Sequence, residues 1–505
     1  MAGFLLIATV LVSRPLISES YRAVELSFLS DMHVGAGPSA SLTAWLDLLL
    51  LIGAAAAAFG VKRGAIGIAA VIGFFTLIFA VALSSYAAAD KRLALDAGFT
   101  LIAFAAVAVT ALAQQWRKSL IIALLAGVSA SGVTFAVKCF LQVHSEFPEL
   151  VRQWDAQQAA TPTDAPYRAD RVNFERRLRA MEPFGYQSHS NVAGSLLAMW
   201  GLLAVGAAAS RWTRLRCKTH ADNSSRAAAQ DSADRSQFVA VAAIFALVAG
   251  VFAWALVLTG SFGAVISGIF GLVTFATLLI LHRKRGVSRR HALTVILAPY
   301  LLLIVIGATI GLSRGTLPHP SMAFRWGYWQ GAARVYAEEP WRGIGRENFG
   351  DRYLHAKNIT SPEDVKDPHN FWISMLIELG PLGLVASGLL VIAGLWVALP
   401  RNTVNCDESS RTVHGNWTAI ALAFATLSLL LATNRQVFSA DSMWIVWLTD
   451  IGFPWMASYA FFWWILSRTA IRATPDNFVT LGAVAAAVAV LYHNLVSFSL
   501  LVPGG

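Results

Sequence analysis

Charge is scarce in this chain. Asp, Glu, Lys and Arg make up 13% of its 505 residues, about half the share usual in soluble domains. Cysteine is scarcer still, at three residues, Cys139, Cys217 and Cys406. Their positions give neither a disulfide framework nor CxxC metal spacing. The sequence also lacks a GxxxxGK[ST] phosphate loop, an HExxH pair and any repeat at solenoid period. The missing phosphate loop argues against an ATP-driven pump. Motifs of nucleic-acid-binding domains are absent too, so the formal charge of +10 is not read as a nucleic-acid footprint.

What the chain has in abundance is apolar sequence: 56% of its residues are hydrophobic and its mean hydropathy is +0.58. Stretches near the roughly 20 residues that cross a bilayer recur from end to end. They lie near 3–18, 42–59, 64–86, 97–115, 119–143, 191–210, 237–258, 261–281, 292–312, 370–398, 416–433, 443–466 and 478–501. The fold expected is an all-α, polytopic transmembrane helix bundle forming one domain over 1–505. The Met-Ala-Gly start lacks a basic region and a cleavage site, so the first stretch reads as a helix rather than a signal peptide. The last reads as either transmembrane or re-entrant.

Orientation follows from short basic loops. Lys62/Arg63, Arg117/Lys118, the 211–236 loop and the 282–291 loop fall on one side, which is expected to be cytoplasmic. The acidic 19–41 loop, the 87–96 loop and two long segments, 144–190 and 313–369, then fall outside. The patch from His220 to Gln237 reads as a flexible inner loop.

One stretch breaks the apolar pattern: "DPHNFWISMLIELGPLG", from Asp367 to Gly383. Pro368, His369 and Asn370 stand where the tenth span begins. Asn370, Ser374 and Glu378 follow at i, i+4, i+8 on one helical stripe. A carboxylate inside a span is costly and usually faces a bundle interior or a water-filled cavity. Glu378 therefore reads either as part of a site or as the partner of a charge on a neighbouring element. His369 taken alone reads equally as an ordinary interfacial residue, and the glycines as helix packing. Ahead of this stretch, 313–369 carries Arg314, Arg325, Arg334, Arg342 and Arg346. Arg334 and Arg346 read as lipid-headgroup or solvent contacts. Arg325 and Trp329 stand at i, i+4 on an expected surface helix, followed by a Pro340-x-x-Gly343-x-Gly345 turn.

These residues resemble the O-antigen ligase and polymerase superfamily of bacterial membrane glycosyltransferases. His369-Asn370, nine residues, Gly380, two residues and Gly383 meet the ligase-type pattern H-[NSQ]-x9-G-x-x-[GTY]. Arg325-x-x-x-Trp329 and the Pro340–Gly345 turn are similar to the sequence leading into it, and "SHSNVAG" around Asn191 to the family's Asn-containing helix start. The family's Ser-Arg-Gly after the central span is not matched, since "TGSFGA" places Phe262 where the arginine would stand; Arg314 is the expected substitute.

The resemblance implies transfer of a glycan from a polyprenyl-diphosphate carrier to an acceptor hydroxyl on the outer face of the bacterial inner membrane. His369 is then the expected base and Arg325 the diphosphate ligand, a planar fork that Lys cannot copy. Arg314, Arg342, Asn370, Trp329, Glu378, Asn191 and His493 are expected to bind substrate. No metal is expected; Asp31 and His33 of "SDMHVG" offer only two ligands in a turn. The partners implied are a polyprenyl-diphosphate-linked glycan, a lipid, glycan or protein hydroxyl acceptor, and membrane lipids. Ligase, polymerase and protein O-oligosaccharyltransferase stay open as alternatives. A transporter or flippase is the rival class, for which Glu378 and Lys138 within spans would be expected. It is disfavoured because the polar groups gather in one segment instead of matched halves. A scaffold would leave Glu378 unexplained.

Overall fold

The computed structural model describes residues 1–17, 20–22, 33–35, 39–59, 67–113, 118–160, 175–176, 178–218, 225–283, 288–358, 361, 363–399, 416–433, 443–470 and 477–497. The expected basic pairs at Lys62/Arg63 and Lys284/Arg285, together with Arg117, Asp31 and Cys406, lie outside these residues.

The chain forms helices α1 (Ala2–Ser13), α2 (Ala40–Ala58), α3 (Ile68–Ala87), α4 (Lys91–Ala113), α5 (Lys118–Leu141) and α6 (Phe147–Ala160). It continues with α7 (Ser190–Lys218), α8 (Ser225–Leu258), α9 (Phe262–Arg283), α10 (Arg289–Arg314), α11 (Pro320–Glu338) and α12 (Phe349–Ala356). The last are α13 (Phe371–Ala398), α14 (Asn416–Thr433), α15 (Met443–Trp447), α16 (Phe453–Ala470) and α17 (Asn477–His493). One antiparallel ribbon, β1 (Ser20–Arg22) with β2 (His33–Gly35), is the only sheet among the described residues. The molecule is an all-α polytopic bundle.

Nine of these helices are long and apolar enough to cross a membrane, and three shorter ones, at Ala2–Leu16, Trp417–Thr433 and Phe478–His493, are also apolar. With α15 and α16, joined through a π-helical turn at Leu448–Gly452, each apolar stretch expected from sequence holds a helix among its described residues. The helices carry apolar side chains both inward and outward, as a lipid solvent requires. Close packing comes from small residues. A Cβ added at Gly206 on α7 would lie 2.8 Å from the Gly482 Cα on α17.

Charges within the bundle are paired. Arg14 meets Asp47 at 2.6 Å, with 3% and 0% of their side chains exposed. Lys138 lies between Glu146 at 2.5 Å and Asp450 at 3.0 Å, each carboxylate belonging to a π-helical turn. These pairs join α1 to α2 and α5 to the helix leading into α16.

Helix α10 departs from the bundle. Ala292, Ile296 and Tyr300 pack among α9, α13 and α17, but Leu301 to Ile306 are all exposed, six residues that cover more than one full turn. The departure follows Pro299, which cannot donate to the ladder. Contact resumes at Gly311, where the Trp326 ring of α11 seats. Between these two contacts α10 stands off the bundle. Tyr300, at the first of them, accepts from Trp372 Nε1.

Candidate active site

The site is organised by a break in α13. Gly380 adopts φ 70°, ψ −174°, and Pro381 follows it. Pro381 has no N–H to give Ile377 O, so the ladder is interrupted there. The freed carbonyls are satisfied from the Pro340–Asn348 loop, Ile344 N donating to Ile377 O at 3.1 Å and Gly345 N to Glu378 O at 2.9 Å. The approach is so close that a Cβ at Gly343 would lie 2.5 Å from Glu378 O, and one at Gly380 2.4 Å from Trp341 O. Both residues also need positive φ. The Pro-x-x-Gly-x-Gly turn and the glycines after His369 are thus two sides of one contact.

Glu378 is the second element of that contact. Its carboxylate accepts from Arg346 Nη1 through Oε2 and from Glu347 N at 3.0 Å through Oε1. Arg346 is 3% exposed and Glu378 1%. The expectation that Arg346 touches lipid headgroups or solvent is therefore corrected: the broken helix needs a buried cation, and Arg346 supplies it. Arg334 is likewise engaged by protein, donating to Ala356 O at 2.6 Å. Asn348 fastens the loop to the turn before α4, accepting from Asp90 N at 2.8 Å.

At the start of α13, residues 367–370 are held at every position. Asn370 is the N-cap: its Oδ1 accepts from Trp372 N at 3.0 Å and Ile373 N at 3.1 Å. Its Nδ2 donates to Leu495 O at 2.9 Å, and Phe371 N donates to Asn494 O at 2.9 Å. The end of α17 is thereby joined to this cap. Trp329 Nε1 donates to Pro368 O at 3.0 Å. His369 takes a left-handed φ of 55°, with its N–H given to Asp367 Oδ1 at 2.6 Å. The Tyr328 ring lies 5.5 Å from the imidazole, tilted by 35°.

Arg325 and the histidines share one electrostatic neighbourhood. Burial, then the charges of Arg325 and His189, hold the His369 imidazole down at about 3. It is neutral at physiological pH and able to accept a proton. Burial also lowers Arg325 itself. Its Nη1 donates to Ser321 O at 2.9 Å, while its Nε is buried with no hydrogen-bond partner. The Glu363 carboxylate, held by the Tyr328 hydroxyl, acts on it through space and makes no direct ion pair with it. His493, at the end of α17, packs against Gly263 of α9. Asn191 Oδ1 accepts from Ser261 Oγ at 2.7 Å, joining the starts of α7 and α9. Phe262, in the place of the expected arginine, stacks on the His319 ring at 5.8 Å and 10°.

The expected residues thus divide. His369, Asn370, Arg325, Trp329 and His493 come together at the junction of α11, α13 and α17, with Asn191 at the neighbouring α7–α9 junction. Arg342 is bonded to Glu339 at 3.1 Å and half exposed. It belongs to the loop that packs on Gly380, roughly 15 Å along the helix from Asn370. Arg314 ends α10 and is exposed. Three residues given no role from sequence stand in the site: Asp367, His189 and Tyr328. Asp367 was legible as the residue two before a left-handed position, where a short carboxylate accepts the later N–H.

A family model described as O-Antigen ligase matches residues 244–387, from α8 through the break in α13. A search of curated proteins finds no match.

Proposed function

We propose a specific reaction, supported by the match of residues 244–387 to a family model described as O-Antigen ligase. The protein moves a glycan from a polyprenyl-diphosphate carrier to an acceptor hydroxyl, working at the outer face of the bacterial inner membrane without a metal. The observation that carries this reading is Arg325: a partly buried guanidinium with no ion pair, beside a neutral imidazole and on the side of the bundle where α10 exposes Leu301–Ile306. A diphosphate with an isoprenoid tail suits all three features.

In the reaction, Arg325 grips two phosphate oxygens of the donor, while the tail runs out beside the exposed Leu301–Ile306 stretch of α10. His369 takes the proton from the acceptor O–H, the acceptor oxygen bonds to the sugar C1, and the C1–O bond to the phosphate breaks. The bonding pair departs with the polyprenyl diphosphate, and the anomeric configuration inverts. Arg325 stabilises the negative charge growing on the leaving group. The donor's own charge opposes that of Arg325, so its arrival raises the basicity of His369 at the moment a base is required.

Incubating purified protein with a polyprenyl-diphosphate glycan and lipid, glycan and protein acceptors, with and without chelator, tests this reading. Transfer to one acceptor class, unaffected by chelator, is expected. Recovery of the glycan on the carrier in every arm would overturn it, and loss of transfer with chelator would overturn its metal independence. Transport of the intact carrier across vesicles, with no transfer, would favour the flippase reading.

A further inference from the structure

Four residues around the imidazole form a closed local circuit. Asp367 Oδ1 accepts the His369 N–H at 2.6 Å. Its Oδ2 lies 3.0 Å from Ser374 Oγ, one turn into α13. Ser374 Oγ also lies 3.0 Å from Asn370 O. Between these anchors His369 takes a φ of 55°, a conformation a β-carbon disfavours unless its surroundings hold it. The chain after Pro368 therefore reaches the helix only by way of a strained histidine, and the Asp367 carboxylate is the group that accepts its N–H.

We propose that Asp367 is a positioning residue: in its ionised form it holds His369 in the left-handed conformation that aims the imidazole into the site, and protonation of Asp367 releases it. The inference rests on the role proposed above for His369 and extends it to the acid side of the pH profile. Burial raises the Asp367 carboxyl to about 6, against the pull of Arg346 and of its bonds to His369 N and Ser374, with Glu347 adding to the rise. Glu378 faces it as well. From the other side, Arg325 and His189 face the imidazole. Before the donor binds, His369 holds no proton until about pH 3, so its own ionisation does not account for a change near pH 6 in the free protein. Protonation of Asp367 does, because a carboxyl bearing a proton gives up one of its two acceptor oxygens.

The geometry explains why the carboxylate tolerates its place. Two donors meet it, one on each oxygen, and Arg346, already engaged by Glu378, acts on it through space. Asn at position 367 stands in for the protonated carboxyl at every pH: it keeps one acceptor oxygen, carries no charge and cannot ionise. Ala removes both bonds.

The test has one arm that needs no glycan transfer. His369 in the full-length protein is modified with diethyl pyrocarbonate across pH 5–8, and the peptide carrying it is quantified by mass spectrometry against free imidazole. In wild type the normalised reactivity is expected to rise several-fold as pH falls through about 6, as the ring is released. In Asp367→Asn that step is expected to vanish, with reactivity near the low-pH wild-type level at every pH, and in Asp367→Ala reactivity is expected to be high throughout. The second arm is turnover. Asp367→Ala is expected to lose about 100-fold, the scale of a misplaced catalytic group. Asp367→Asn should lose less and should show no acid limb near pH 6. A reactivity step near pH 6 that persists in Asp367→Asn, or wild-type reactivity flat across the range, would overturn the proposal. If transfer is absent but the step behaves as stated, the positioning stands and only the reaction assignment fails.

Discussion

Arg325 and Arg346 lie 21 positions apart in one segment, both with guanidinium atoms shut away from water, and the protein treats them in opposite ways. Arg346 is closed: its charge is spent on Glu378, at a break in α13 that also consumes the backbone donors of Ile344, Gly345 and Glu347. Arg325 makes no ion pair: its Nη1 bonds within its own helix to Ser321, and the ionisable groups that act with it include His369, His493 and the Glu363 carboxylate, which Tyr328 holds. A buried charge neutralised from within serves the fold. The one with no direct ion pair, beside the imidazole of the proposed base, is the cation we assign to an anion from outside.

The contrast can be broken at either end. The largest effect is expected at the imidazole beside Arg325: His369→Ala lowers turnover by about 10²–10⁴-fold, measured as initial transfer rate, while carrier binding persists. Loss of carrier binding in that variant would move His369 from the chemistry to the donor site. Next is the closed pair. Arg346→Ala leaves the Glu378 carboxylate buried alone and costs about 3–5 kcal/mol, read as thermal unfolding in detergent. The joint replacement Arg346→Met with Glu378→Leu is expected to recover most of that loss; if it does not, the pair does more than neutralise charge. Smaller again is the effect of Asp367→Asn on stability. The Asp367 carboxyl is raised in the fold, so its ionised form costs stability above about pH 6, and that cost fades as pH falls towards the unfolded value. The variant should therefore melt higher than wild type at pH 8, with the gap narrowing towards pH 4. Smallest is Arg342→Ala, expected to change turnover only a few-fold, because Arg342 is half exposed and pairs with Glu339.

The bundle was legible because hydropathy reports helix existence directly when lipid is the solvent. All thirteen apolar stretches hold a helix among their described residues, and the deviations concern ends: the last helix stops at His493, where the chain turns to cap α13. The knot was legible as well, since Pro368, His369 and Asn370 interrupt an apolar run. What periodicity could not reveal is which of five arginines meets Glu378. That depends on a loop folding back 32 positions to fill the gap at Pro381, and such a long-range contact leaves no mark in local spacing. Placing Asn370, Ser374 and Glu378 on one stripe was sound, yet the three have different partners: Leu495 O, Asp367 and Arg346. The standing-off of α10 was equally hidden, because lipid and protein interior select the same side chains at Leu301–Ile306.

The most direct test of the account is a side-by-side measurement on Arg325→Lys and wild type, each assayed for polyprenyl-diphosphate binding, glycan transfer and melting temperature. The account predicts an unchanged melting temperature, because Arg325 anchors no part of the fold, together with weakened carrier binding and a turnover lower by about 100-fold, because the charge remains but its two-pronged grip on phosphate is lost. Near-wild-type turnover with normal carrier binding in Arg325→Lys would contradict it, and would assign the diphosphate to another cation.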